Sequence, residues 1–270
     1  MRKTWLVCGI LVAGALGIAL RGEHRAPPAL NLADLATGRV VVRDLGYPVG
    51  PDSPVWPDSE PFVAHVVATL ARQGYFARTV CLPEHFSTHL DAPAHFPGGH
   101  QTVEQLDVRH FVVPAVVMDV EAQVRRNPDY RLSAGDVRAW ERRYGPVPSG
   151  VVVLLRTGWE RRGAQPEQYR NRDARGVMHF PGYSVEAARL LIERHVVGLG
   201  IDTLSIDYGP SQQFEVHRLT LPAGLYHLEN LRNLEGLPAR GVWLVVAPLA
   251  LEGGSGAPVR VLALVPQPAH

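Results

Sequence analysis

The stretch HFSTHLDAPAHF, residues 85–96, sets three histidines and an aspartate around a proline. Read as a helix, it would put His85 and His89 on one face, in the i, i+4 spacing of helical zinc sites. Asp91 would then point away, and Pro93 would break the helix while pushing Ala92 into an extended conformation. Read as extended chain, His89 and Asp91 are two residues apart and project from the same side. His85 and His95 keep that parity. The segment therefore predicts a strand end bending into a loop, with all four groups converging. Two imidazoles and a carboxylate within reach of one another are a usual ligand set for zinc or manganese. A metal site is thus expected, against the alternative that a chain with twelve histidines has clustered a few by chance.

Outward from this motif the chain reads mostly as strands. VVVRDL (40–45) and FVAHVVATL (62–70) have strand composition. GYFARTVCL (74–82), after a Gln-Gly turn, completes a hairpin leading into the motif. VVPAVVMDV (112–120) and GVVVLLRTGW (150–159) are continuous apolar runs, hence buried strands. Ser133 is placed to cap a helix over residues 134–144, and Ser184 to cap VEAARLLIERH (185–195). VVGLGIDTLSID (196–207), GVWLVVAPLAL (241–251) and VRVLALV (259–265) read as further strands. Strands outnumber helices and two helices fall between strands. The expectation is an α/β fold, a single mixed-sheet domain over residues 39–270, preceded by a Pro- and Ala-rich linker at 22–38.

With 270 residues, 46% of them hydrophobic, the chain can bury a large core. A formal charge of +1 gives no case for a nucleic-acid partner. The only lysine is Lys3, which excludes a phosphate loop built on lysine and a Schiff-base mechanism in the folded part. Arg2 and Lys3 precede TWLVCGILVAGALGIAL, uncharged up to Arg21, the pattern of an export signal. A cleaved signal and a retained membrane anchor over residues 1–21 both fit, and a buried N-terminal helix is the alternative. An exported location, periplasmic, extracellular or membrane-anchored, is expected. Beyond that segment Cys81 is the only cysteine, so no internal disulfide forms. Cys81 reads as a small buried strand residue rather than as a thiol nucleophile working with His85.

The motif also resembles a known signature. EHFSTHLDAPAHF is similar to the His-x-Gly-Thr-His-x-Asp-x-Pro-x-His pattern of the metal-dependent cyclase / kynurenine formamidase superfamily. RTGW (156–159), FPGYS (180–184), GIDTLSID (200–207) and HLENL (227–231) resemble further landmarks in the expected order. The stretch from residue 202 to 238 resembles the isatin-hydrolase branch more than the compact formamidases. The resemblance implies a swivelling β/α-type cyclase fold, a dimer or higher assembly, and one or two divalent ions, zinc or manganese. It implies that His85, His89 and Asp91 are ligands, that Asp91 can bridge two metals, and that His217 and Glu229 complete the set. His95 matches the residue that handles protons. Two departures stand out. Ser87 replaces the pattern's glycine, which can supply a backbone angle that serine adopts only at a cost. Glu229 is a carboxylate where the isatin-hydrolase branch is associated with an amide and one metal, which leaves a two-metal centre open.

The implied activity is hydrolysis of a carbon–nitrogen amide bond, in an aryl formamide or a cyclic amide, by metal-activated water. Trp56 and Phe96 are candidate walls for a flat aromatic substrate. Arg156 reads as an internal ion-pair partner, and Asp202 and Asp207 as structural residues. The alternatives are an exported metal-binding protein without catalysis, or a cyclase or lactonase. His95 together with Glu229 favours the enzyme, because a metal holder needs neither a proton carrier nor an open position. Export argues against formyl-kynurenine itself as substrate.

Overall fold

The computed structural model describes residues 31 and 33–267. The leader expected at 1–21 lies outside the described residues, as does most of the linker, whose described end holds a one-turn helix, Ala33–Ala36. The strands are β1 (Val40–Asp44), β2 (Val63–Ala68), β3 (Ala77–Cys81), β4 (His89–Asp91), β5 (Val112–Asp119), β6 (Arg131–Leu132), β7 (Val152–Arg156), β8 (Gly182–Tyr183), β9 (Gly198–Ile201), β10 (Tyr226–Glu229), β11 (Val242–Pro248) and β12 (Gly256–Pro266). Eight of them form one mixed sheet in the order β1-β12-β11-β5-β7-β9-β10-β4. The long β12 also pairs with β4 through Gly256, Ala257 and Pro258, which closes the sheet into a barrel.

One half of the barrel is parallel, from β5 through β7 and β9 to β10, and the other is antiparallel. The parallel half needs crossovers. Helix Ala134–Tyr144 supplies one between β5 and β7, and helix Val185–Glu193 the next, between β7 and β9. Both begin where the serines predict. The Ser133 hydroxyl accepts from the Asp136 amide while the Asp136 carboxylate accepts from the Ser133 amide, and Ser184 accepts from the Ala187 amide. Caps of this kind contribute about 1 kcal/mol each.

Alternation along the strands divides the core in two. Val152 and Leu154 of β7 point into the barrel with Leu90, Leu228, Leu244 and Val261. Val153 and Leu155 point outward, against Trp140, Ala187 and Leu191 of the crossover helices. The barrel's outer face is thus covered by helices along the parallel half. Where β4 and β10 meet, the same outer face carries the polar groups of the candidate site.

Two expectations need correction. β2 and β3 do form the hairpin, but Cys81 at its end is exposed, not buried. The hairpin is a separate two-stranded sheet that pairs with no barrel strand among the described residues, and β3 lies exposed along most of its length. The strand expected at the motif covers only His89–Asp91. Pro93–His95 is a turn of 3-10 helix, so the parity extended from Asp91 to His95 does not hold.

Candidate metal centre and active site

The site follows from one strand register. β4 and β10 run antiparallel with Leu90 opposite Leu228, His89 opposite Glu229, and Asp91 opposite His227. Both leucines are fully buried inside the barrel. Because side chains alternate, sinking the leucines turns His89, Asp91, His227 and Glu229 together onto the outer face. Helix Glu215–Thr220 lies against that face and brings His217 to within 3.4 Å of Asp91 and 3.2 Å of Glu229.

Left-handed residues stand at both strand margins. Ser87, just before β4, has φ of 60°, and Asn230, just after β10, has φ of 54°. The Ser87 conformation aims its carbonyl at two donors, His89 Nδ1 at 3.0 Å and Asn230 Nδ2 at 2.8 Å. The strain anticipated from serine in place of glycine is therefore present, and it orients a site histidine. The buried Ser87 hydroxyl has no hydrogen-bond partner among the described residues. Glycine is required at Gly256, opposite Asp91, where a Cβ would sit 2.4 Å from the His85 ring.

The hydrogen bonds fix the tautomer of each imidazole. His89 Nδ1–H donates to the Ser87 carbonyl, which can only accept. His217 Nδ1–H donates to Asp207 at 2.7 Å. The Ser255 hydroxyl donates to Glu84 and so accepts from His85 Nε2–H at 3.0 Å. The Thr220 hydroxyl donates to the Val216 carbonyl and so accepts from His227 Nε2–H at 2.8 Å. In each neutral ring the remaining nitrogen presents a lone pair, and all four lone pairs face two carboxylates. His85 Nδ1 is 2.7 Å from Asp91, His89 Nε2 is 3.2 Å from it, and His227 Nδ1 is 3.5 Å from it. Lone pairs facing carboxylate oxygens repel unless a positive charge lies among them. Asp91 Oδ2 and His227 Nδ1 are buried with no hydrogen-bond partner among the described residues.

The titration behaviour shows the same demand for charge. Burial opposes a charge on His89, yet the neighbouring Asp91 and Glu229 carboxylates override it and raise its pKa to about 9. Burial likewise opposes a charge on His217, which Asp207, Asp91 and Glu229 override, raising it well above the usual histidine range. Burial pushes Asp91 up, but the surrounding imidazoles hold it well below the usual carboxylate range. Without a cation the pocket recruits protons. With nitrogen and carboxylate donors, buried and oriented by outer hydrogen bonds, the residues fit a divalent ion. Ligand atoms of Asp91, His217, His227 and Glu229 all lie within 4.8 Å of one another, as do those of His85, Asp91 and His95.

Beside these groups opens a cavity of about 380 Å³, walled by Trp56, Phe96, Phe214 and Leu204, with His85, His89, His95, His217 and Glu229 on its floor. Phe214 packs 5.8 Å from both Trp56 and Phe96, centroid to centroid. It too has positive φ, 50°, a rare conformation for a bulky residue and one that concentrates at functional sites. A larger hollow of about 680 Å³ beside Trp140 holds none of the histidines. The Arg156 guanidinium in its wall is engaged by Asp119 and Glu121, the internal ion pairing expected of it.

The structure thus gathers His85, His89, Asp91, His95, His217 and Glu229 around one point and sets Trp56 and Phe96 in the adjoining wall. Sequence reasoning passed over His227, although His227 and Glu229 repeat the two-residue spacing of His89 and Asp91. It passed over Phe214 as well. Asp207, read as structural, anchors His217, whereas Asp202 accepts from Thr157 away from the cluster.

Residues 43–208 match the family described as putative cyclases. An isatin hydrolase of Roseibium aggregatum is 34% identical over 252 residues, covering 87% of this chain and 95% of that one. A kynurenine formamidase of Paracidovorax citrulli is 27% identical over 229 residues, covering 83% and 96%. The crystal structure of an isatin hydrolase bound to the product analogue thioisatinate superposes with a TM-score of 0.83 at 31% identity, covering 87% and 96%. The chain belongs to the cyclase family. His217, His227 and Glu229 lie beyond the segment that matches the family description.

Proposed function

We propose that this protein is a metal-dependent amide hydrolase that opens a cyclic aromatic amide of the isatin type, using zinc or manganese. The observation that carries the reading is the convergence of inward lone pairs and two carboxylates at the floor of an aromatic-walled cavity. A divalent ion held there supplies Lewis-acid chemistry, acidifying water and polarising a carbonyl. The chain's own residues supply the rest. Trp56, Phe96 and Phe214 stack on a flat ring and exclude bulk water from it. His95 stacks on His85 with ring centroids 3.9 Å apart and makes no side-chain hydrogen bond among the described residues, so its nitrogens are free to the cavity. Burial pushes its pKa down to about 3, so the imidazole is unprotonated at neutral pH and holds a proton only where negative charge stands beside it. It takes the proton from the attacking water and returns it to the leaving nitrogen, as a positioned general base does.

The isatin hydrolase and kynurenine formamidase relatives support carbon–nitrogen hydrolysis, and the thioisatinate-bound relative supports a cyclic substrate. The test is metal-loaded protein assayed on isatin and N-formyl-kynurenine. Ring opening of isatin with little deformylation supports the reading. The reverse preference moves the substrate to linear formamides, and inactivity on both rejects it.

Export and self-association are part of the same proposal. The uncharged run after Arg2 and Lys3 supports export. A reporter fused after residue 25 should leave the cytoplasm, and its retention would overturn this. The β2–β3 hairpin supports an oligomer. It exposes Val66, Val67, Leu70, Tyr75 and Phe76, and an isolated two-stranded sheet is marginal in water. A Phe76→Glu substitution should shift sedimentation toward monomer.

A further inference from the structure

Two groups of ligand atoms share Asp91, and they differ in kind. His85 and His95 line the open cavity, where His85 is only half-buried, and Asp91 lies buried beneath them. Asp91, His217, His227 and Glu229 are all buried; His217 and Glu229 border the cavity from below, and His227 is fully inaccessible. Protein sites with four protein ligands are typically closed and structural, while catalytic ions keep a position open.

His227 makes the inner group a set of four. It sits opposite Asp91 in the β4–β10 register, so its direction is fixed by the same leucine packing that fixes Asp91. Its tautomer is fixed by Thr220, whose hydroxyl hydrogen is committed to the Val216 carbonyl. Nδ1 is therefore unprotonated in the neutral ring. It is buried, unpartnered and 3.5 Å from an equally unpartnered Asp91 Oδ2. A buried lone pair facing a buried carboxylate oxygen, with nothing donated between them, is unfavourable and is relieved by a shared cation.

We propose that His227 is a metal ligand through Nδ1, closing with Asp91, His217 and Glu229 a firmly held inner divalent-ion position behind the open, catalytic one. Thr220 is its positioning residue, acting only through the imidazole. The proposal rests on the metal-hydrolase reading and extends it from which residues touch substrate to how the ions are retained.

The test is metal content and chelator resistance of the full protein loaded with zinc, comparing wild type, His227→Leu and Thr220→Val. His227→Leu should lose one equivalent of tightly held zinc per chain, or release it to a chelator at least about 10²-fold faster. Thr220→Val, which leaves the ligand but not its anchor, should release it about 10-fold faster. Equal zinc content and equal release rates in all three proteins would overturn the role of His227 while leaving the hydrolase reading intact. Wild type that retains no divalent metal would sink both. If His227→Leu does not fold, wild type carrying ¹¹³Cd and ¹⁵N-histidine decides the point. Cadmium coupling to His227 Nδ1 supports ligation, and coupling to other histidines but not to this one overturns it.

Discussion

The inner and outer halves of the centre share one carboxylate and little else. The inner residues stand on two paired barrel strands and a helix, and each ring is tied from behind by Asp207 or Thr220. The outer pair, His85 and His95, stands on chain outside the regular strands, stacked ring on ring at the cavity floor. The difference teaches a division of labour. Groups gathered around the shared carboxylate are set on elements whose register the core enforces, while groups that border the cavity are left at the edge, where one face stays open. Asp91 joins the two, with Oδ1 toward His85 and His89 and Oδ2 toward His217 and His227.

The largest effect should come from removing that junction. Asp91→Ala takes an oxygen from both halves and should abolish metal retention and turnover together, read by metal analysis and by assay on isatin. Full metal content in this variant would dissolve the two-half picture. His95→Ala should separate the halves, keeping its metal while losing about 10²–10⁴-fold in turnover. Loss of metal instead would make His95 a ligand. Asp207→Asn leaves every ligand in place but weakens the tie on His217. Metal affinity should fall by about 10–100-fold by chelator competition.

A pH series probes His89, whose Nε2 faces both Asp91 and Glu229. In metal-free protein the folded-state pKa of His89 is raised from 6.5 to about 9. The stability this adds is fully present below pH 6.5 and is lost as pH rises through about 9. Metal must displace that proton, so affinity should climb over the same window. Denaturant melts of metal-free protein and metal titrations at pH 6 and pH 9 check both signs. If metal-free stability rises toward pH 9, His89 does not carry the proton. The smallest effect is Ser87→Gly. It relieves a left-handed serine and removes a buried unpaired hydroxyl, and should stabilise the protein by about 1 kcal/mol in urea unfolding.

The hairpin and the crossover helices show where local reading is reliable. Ser133 and Ser184 cap their helices as their positions suggest, because a cap is decided within four residues. The β2–β3 pairing follows from two strand-like runs and a short turn, but whether Cys81 is buried depends on what covers the hairpin, and β3 lies exposed.

The same boundary runs through the site. From sequence alone come the ligand types, the rejection of a helical motif by Pro93, the apolar strands of the barrel and, by resemblance, the pairing of His217 and Glu229 with the first motif. Local chemistry decides the first three within a few residues, and the order of the family's motifs implies the last. Only the tertiary structure decides that Leu90 meets Leu228, that Asp91 therefore faces His227, and that Asp207 and Thr220 turn two imidazoles inward. Strand register is a non-local choice, made by which side chains the closed barrel can bury. More than a hundred residues separate the partners, and no local pattern encodes their alignment.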